Sequence, residues 1–157
     1  MKKTLLTLLF VVITGAMFAQ SPFSKPQINA GVGISSWGIP VYVGADFEVY
    51  KDITAGAELS FRSKSDFGNV FGISVNGNYH LNSILDLPAE WDFYAGANIG
   101  YLVWSYDNNF IGTKASGLGI GGQIGGRYFF NEKFGLNLEF GGGNAFSGGK
   151  FGITIRL

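Results

Sequence analysis

GLGIGGQIGGRYFF, residues 117–130, carries six glycines in fourteen positions. Gly117, Gly119 and Gly122 satisfy the spacing G-x-G-x-x-G, with which dinucleotide enzymes cradle a pyrophosphate. The same stretch also alternates. Leu118, Ile120, Ile124, Tyr128 and Phe130 share one parity, while Gly117, Gly119, Gly121, Gln123, Gly125 and Arg127 share the other. The two readings compete, because a phosphate loop needs a helix to start at its last glycine, inside a βαβ unit. Beyond Gly122 the alternation continues with no helical repeat, and Glu139, near the distance of a ribose-binding acid, sits in another alternating run. The glycine spacing is a by-product of period two, and the stretch is a strand.

The same period governs the chain from Ile28 onward. Ile28, Ala30, Val32 and Ile34 alternate with small or polar residues, and Val41 through Val49 alternate with Tyr42, Gly44, Asp46, Glu48 and Tyr50. Ile53 through Phe61 alternate with Thr54, Gly56, Glu58, Ser60 and Arg62. Similar runs lie around Phe71–Leu81, Asp92–Trp104, Phe134–Gly141 and Phe151–Leu157. The pattern predicts eight strands, each close to the ~9–11 residues of a tilted membrane-crossing β-strand.

Composition narrows the class. The 157 residues suit one domain, and only 14% are charged, about half the share usual in soluble domains. The absence of cysteine excludes disulfides, thiolate metal sites and a lipidated N-terminal cysteine. A net charge of zero argues against a nucleic-acid binder held by phosphate contacts. At the N-terminus, Lys2 and Lys3 precede an apolar run from Leu5 to Ile13, followed by small residues and Ala19-Gln20. This is the pattern of a secretory signal peptide over residues 1–19, leaving 20–157 as the barrel domain. The run is shorter than the ~20 apolar residues a helical anchor requires.

Period-two strands bury their apolar face inside a soluble barrel or turn it outward to lipid. Lys25, Lys51, Lys64, Lys114 and Lys133 fall in the tail, turns or loops, Lys150 opens the last strand, and Arg62, Arg127 and Arg156 lie on the polar strand face. That face is otherwise small residues, amides and a few carboxylates, which suits a narrow wet lumen. The tight turns Lys51-Asp52 and Asn131-Glu132-Lys133 alternate with longer connections near 63–70 and 105–116. Short inner turns and longer outer loops mark bacterial outer-membrane barrels. Trp91, Phe93, Phe130 and Phe134 then gather at the inner rim as an aromatic girdle.

Two stretches carry a resemblance. KFGITIRL at the C-terminus resembles the assembly signal of outer-membrane barrels at Lys150, Gly152, Ile155 and Leu157, departing from it by ending on Leu where an aromatic is usual. NYHLNSILDLPAEWDFYAGANIGY, residues 78–101, looks like the fourth strand, middle periplasmic turn and fifth strand of small outer-membrane barrels. The layout of the mature chain is similar to the OmpA-type eight-stranded transmembrane barrel. The resemblance implies an all-β, eight-stranded antiparallel up-and-down barrel in the outer membrane, with the barrel-assembly machinery and outer-membrane lipids as partners and no nucleic acid. A monomer is expected. The resemblance fixes no molecular function.

An eight-stranded barrel is just wide enough for side chains to fill. Strand six should stand across from strand two, its glycines making room for Tyr42, Asp46, Glu48 and Tyr50. A lumen charge network is expected from Glu48, Glu58, Arg62, Arg127, Glu139 and Arg156, with Glu48 the first partner of Arg127 and Glu139 the second. His80 is the only histidine, and the sequence places no carboxylate to orient its ring. No catalytic, cofactor or metal residue is therefore assigned. The outer loop at 106–117 is modest for an adhesin. The sequence favours a structural or interaction role with a polar, largely plugged lumen. A narrow porin-like channel for small solutes or ions is the alternative, and a soluble ligand-binding barrel stands third.

Overall fold

The computed structural model describes residues 25–64, 68–106 and 116–157. The predicted signal peptide and most of the 106–117 loop lie outside the described residues. Eight strands run in order: β1 (Gln27–Ser35), β2 (Ile39–Tyr50), β3 (Ile53–Lys64), β4 (Gly68–His80), β5 (Trp91–Tyr106), β6 (Gly117–Phe129), β7 (Phe134–Gly143) and β8 (Gly148–Arg156). One helical turn, α1 (Asn82–Leu85), interrupts them between β4 and β5. Every strand pairs antiparallel with its sequence neighbour, and β1 pairs with β8, so the sheet closes on itself as an up-and-down barrel. Residues 117–129 form a strand as their alternation requires, with no helix after Gly122.

Alternation decides which side chains point where. Val43, Phe71, Ile73, Val75, Ile99, Ile120 and Leu138 are each about half exposed or more. Asp46, Arg62, Asn78, His80, Asp92, Gln123, Arg127 and Thr154 are buried. The barrel is thus inverted relative to a soluble one, apolar outside and polar within, and such a wall suits lipid. Closure leaves no unpaired strand edge, so the backbone donors and acceptors of the wall are spent on one another. One position breaks parity. A register shift between Glu48 and Tyr50 turns Tyr50 outward, where it is 70% exposed, so it is not the lumen residue its sequence position suggests.

Both described termini lie at one end, here the terminal end. Its turns are fixed by side chains and by local conformation. Asp52 takes a left-handed conformation (φ 61°), and its carboxylate accepts a hydrogen bond from the Ser83 hydroxyl at 2.7 Å, tying the β2–β3 turn to α1. Asn131 Oδ1 accepts from the backbone N–H of Lys133 and Phe134, both at 2.9 Å, an Asx turn that reverses the chain in four residues. Connection lengths are less asymmetric than the sequence suggests. The terminal end includes the ten-residue segment 81–90, whereas β3 and β4 extend so far that only 65–67 separates them at the opposite end. Strand pairing consumed residues that looked like loop.

At the terminal end Trp91 stacks on Phe93 (5.6 Å) and meets Tyr128 (4.8 Å), which meets Phe130 edge-on (5.6 Å). These rings are outward and exposed, forming a belt on one side of the rim.

Candidate functional site

The lumen holds nearly all the chemistry of the chain. Its lower half, toward the terminal end, centres on Arg127 of β6. Arg127 Nη2 donates to Asp46 Oδ2 of β2 at 2.6 Å, and Nη1 donates to Asp92 Oδ2 of β5 at 3.1 Å. Strand six therefore does face strand two across the lumen. Asp92 Oδ1 lies 2.6 Å from His80 Nδ1, and His80 Nε2 lies 3.0 Å from Thr54 Oγ1. A carboxylate can only accept, so Nδ1 carries the proton of that bond.

The other oxygen contacts extend the network. The Asn29 amide donates to Asp46 Oδ2 (2.8 Å), the Thr154 hydroxyl to Asn29 Oδ1 (2.7 Å), the Asn137 amide to Thr154 Oγ1 (3.0 Å), and the Tyr42 hydroxyl to Asn137 Oδ1 (2.6 Å). From Tyr42 through Arg127 to Thr54, one continuous chain of polar contacts visits all eight strands. Beside it Asn98 donates to Gln123, and Gln123 to Asn78, each at 2.6 Å.

The upper half centres on Lys150 of β8. Its Nζ donates to both Glu58 oxygens at 2.8 Å and to Glu139 Oε1 at 3.1 Å. Tyr94 links the two halves: its hydroxyl donates to Glu139 Oε2 at 2.9 Å, and Arg127 Cζ lies 4.5 Å from its ring centroid. Gly125 permits this, since a Cβ there would overlap the Tyr94 ring. Gly152 likewise leaves space beside the Tyr42 hydroxyl.

Several expectations are corrected by this geometry. Arg127 does not pair with Glu48 or Glu139 but with Asp46 and Asp92. Glu48 is buried in the terminal end, and neither of its carboxylate oxygens has a hydrogen-bond partner among the described residues. Strands tilt and shear in a closed barrel, so positions equally far from two strand ends do not share a height across the lumen. His80 does have an orienting carboxylate, Asp92, supplied by the neighbouring strand. Lys150 is not merely the start of a strand but a buried lumen cation. The glycine of β6 at 125 makes room for a neighbour, Tyr94, and Gly119 makes room for Ala145, rather than for the opposite wall.

The remaining expected charges divide into paired and unpaired groups. Glu58 and Glu139 meet on Lys150. Arg62 and Arg156 form no ion pair among the described residues: Arg62 Nη2 donates to the Ala145 carbonyl at 3.1 Å, and Arg156 Cζ sits 3.3 Å over the Phe129 ring. In β8, Lys150 and Gly152 face the lumen, Ile155 pairs with Ile28 and Phe134, and Leu157 is 60% exposed at the rim. The lumen residues that charge reasoning passed over are Asp46, Asp92, Thr54 and Phe146. The parity of Asp46, Asp92 and Thr54 was visible, but their partners depend on register, and Phe146 lies in a turn that has no parity.

Among the described residues the lumen holds a cavity of about 50 Å3. Below it Phe129, His80, Gln27, Asn78, Thr154 and Asp92 are all fully buried and close the terminal end. No group of three or more potential metal ligands occurs among the described residues.

No protein-family model and no curated protein sequence matches the chain. Solved structures do. The N-terminal β-barrel domain of Pseudomonas aeruginosa OprF superposes with a TM-score of 0.61 at 14% identity, covering 85% of this chain and 98% of that one. The de novo designed TMB2.3, solved by solution NMR, gives 0.58 at 16% identity, over 88% and 98%. Neisserial surface protein A gives 0.55 at 14% identity, over 85% and 95%. A designed protein among the matches shows that the likeness is one of architecture. The chain has the fold of the small eight-stranded outer-membrane barrels.

Proposed function

We propose that this protein is a bacterial outer-membrane barrel with a structural or interaction role and a lumen closed to solutes. The observation that supports this most is the filled interior. Arg127 and Lys150 between them bind four carboxylates, and about 50 Å3 is left free, room for only a few waters. Residues 1–19 serve as the cleaved signal, and Lys150, Gly152, Ile155 and Leu157 as the signal read by the barrel-assembly machinery. The terminal end then lies in the periplasm, the apolar wall meets outer-membrane lipid, and the barrel acts as a monomer.

An enzymatic role is not part of this reading. Thr54, His80 and Asp92 have the order of a nucleophile, base and orienting acid, yet His80 and Asp92 have no exposed surface and Thr54 is 2% exposed. A nucleophile must reach substrate to act, so the array is read as a structural bridge between β3, β4 and β5. The porin-like alternative differs in one measurable property. Refolded protein in a planar bilayer should show no steady conductance under moderate salt. Reproducible unitary openings from the wild-type chain would overturn the closed lumen in favour of the channel.

A further inference from the structure

The β7–β8 connection, residues 144–147, sits between two glycine pairs, Gly142-Gly143 and Gly148-Gly149. Gly143 and Gly148 have φ of 142° and 149°, a region other residues rarely adopt. Between them the chain folds into the lumen, leaving Ala145 and Phe146 only 5% and 8% exposed. The Phe146 ring lies 4.8 Å from Lys150 Nζ and 5.2 Å from Arg62 Cζ, and the Ala145 carbonyl accepts from Arg62 Nη2 at 3.1 Å. The space for the ring comes from Gly141, whose Cβ would lie 2.8 Å from it.

The two cations differ in what they already have. Lys150 holds Glu58 and Glu139. Arg62 has no carboxylate among the described residues, and its Nε has no hydrogen-bond partner although the side chain is almost wholly buried. A guanidinium is shaped for a planar anion that takes two parallel hydrogen bonds. Here it receives one neutral carbonyl and the face of a ring. The turn thus presents an aromatic group and an oxygen acceptor to Arg62 and Lys150.

We propose that the β7–β8 turn is an internal surrogate for a ligand, and that the upper lumen accepts a small aromatic carboxylate when the turn swings out on its glycines. The ring takes the place of Phe146 between Arg62 and Lys150, and the carboxylate replaces the Ala145 carbonyl on Arg62. Glu58 and Glu139 more than neutralise Lys150, so Arg62 is the cation left to receive a negative charge. The pocket has one entrance, because the terminal end below it is sealed. In this last respect the inference rests on the closed-lumen reading above.

Benzoate is the probe, titrated calorimetrically into the refolded barrel in detergent. A self-occupied site binds with an affinity reduced by the fraction of time it is vacant. Phe146→Ala should therefore bind benzoate about tenfold or more tightly than wild type. Benzyl alcohol, which lacks the anion, and cyclohexanecarboxylate, which lacks the ring, should each bind more weakly than benzoate. Adding Arg62→Gln to Phe146→Ala should erase the preference for benzoate over benzyl alcohol.

A folded Phe146→Ala barrel that binds benzoate no better than wild type, or no better than benzyl alcohol, overturns the proposal. If that variant does not fold, Ala145→Cys keeps Phe146 in place and puts a single thiol in a chain that has none. Benzoate should speed its alkylation by a charged maleimide, and an unchanged rate would equally sink the idea. Conductance separates this inference from the reading beneath it. Benzoate binding without conductance supports both, whereas a conducting wild-type barrel removes the sealed end and leaves the slot to be judged by calorimetry.

Discussion

The two ends of the lumen are closed by different means. At the terminal end the closure is made by strand residues: His80, Asp92, Arg127 and Thr154 project from four strands whose register is fixed by the sheet. At the opposite end it is made by one turn, whose ring rests on two cations and whose hinges are glycines. In the first case the contacts of Arg127, Asp92 and His80 are charge-assisted and belong to the chain that links all strands, and removing one member strands the others. In the second, the turn can leave by giving up its bonds to Ile120 and Arg62, with the pairing of the strands themselves kept. The same sequence thus carries a fixed floor and a removable cover, and adjustable behaviour belongs to the loop rather than to the wall.

The largest test of this contrast is Arg127→Ala. It leaves Asp46 and Asp92 buried without their cation, and should cost about 3–5 kcal/mol. Urea unfolding in detergent would measure it. Asp46→Asn placed on the same background should recover part of the loss, while Glu48→Gln should recover none. Rescue by Glu48→Gln alone would mean that the floor is built on a different pair.

The wall between the two ends supplies an intermediate reference. Val43 is outward and 47% exposed, and Val43→Arg at such a lipid-facing position should cost about 2–4 kcal/mol. Folding yield into bilayers of matched thickness reads this directly, and a variant that inserts as well as wild type would contradict the outward assignment. Phe146→Ala should have the smallest effect, about 2 kcal/mol, because it removes a buried ring and its cation contacts but strands no ion pair. It should also leave the bilayer silent, because the floor stays shut. Channels opened by this one substitution would show that the floor is no seal.

Much of this architecture is legible in the sequence alone. Strand count, the parity of nearly every side chain and the inverted polarity all derive from period two, since only alternation and strand length are needed. Tyr50 escapes because a one-residue register shift reverses parity, and nothing in Phe47–Tyr50 announces a bulge. Charge partners escape for a related reason. Asp92 stands opposite Arg127 in the β5–β6 ladder, and His80 opposite Tyr94 in the β4–β5 ladder, but those pairings depend on how the connections set the register. The inward role of Lys150 is readable from its parity with Gly152 and Thr154, yet its place at the start of a strand makes it look like a rim residue. The seating of Phe146 is not readable at all, because a turn has no period.

The continuous polar chain through the lumen also bears on time rather than on equilibrium. Its links join strands far apart in sequence: Thr154 to Asn29 across the closing seam, Arg127 to Asp46, and Tyr42 to Asn137. None can form in an isolated hairpin, and the seam link must await contact between the first and last strands. Such bonds arise late on the folding path, so they deepen the native well more than they lower the barrier to entering it. Interactions of that kind act chiefly on the rate of escape. The interior of this barrel is therefore a brake on unfolding, set only once the cylinder has shut.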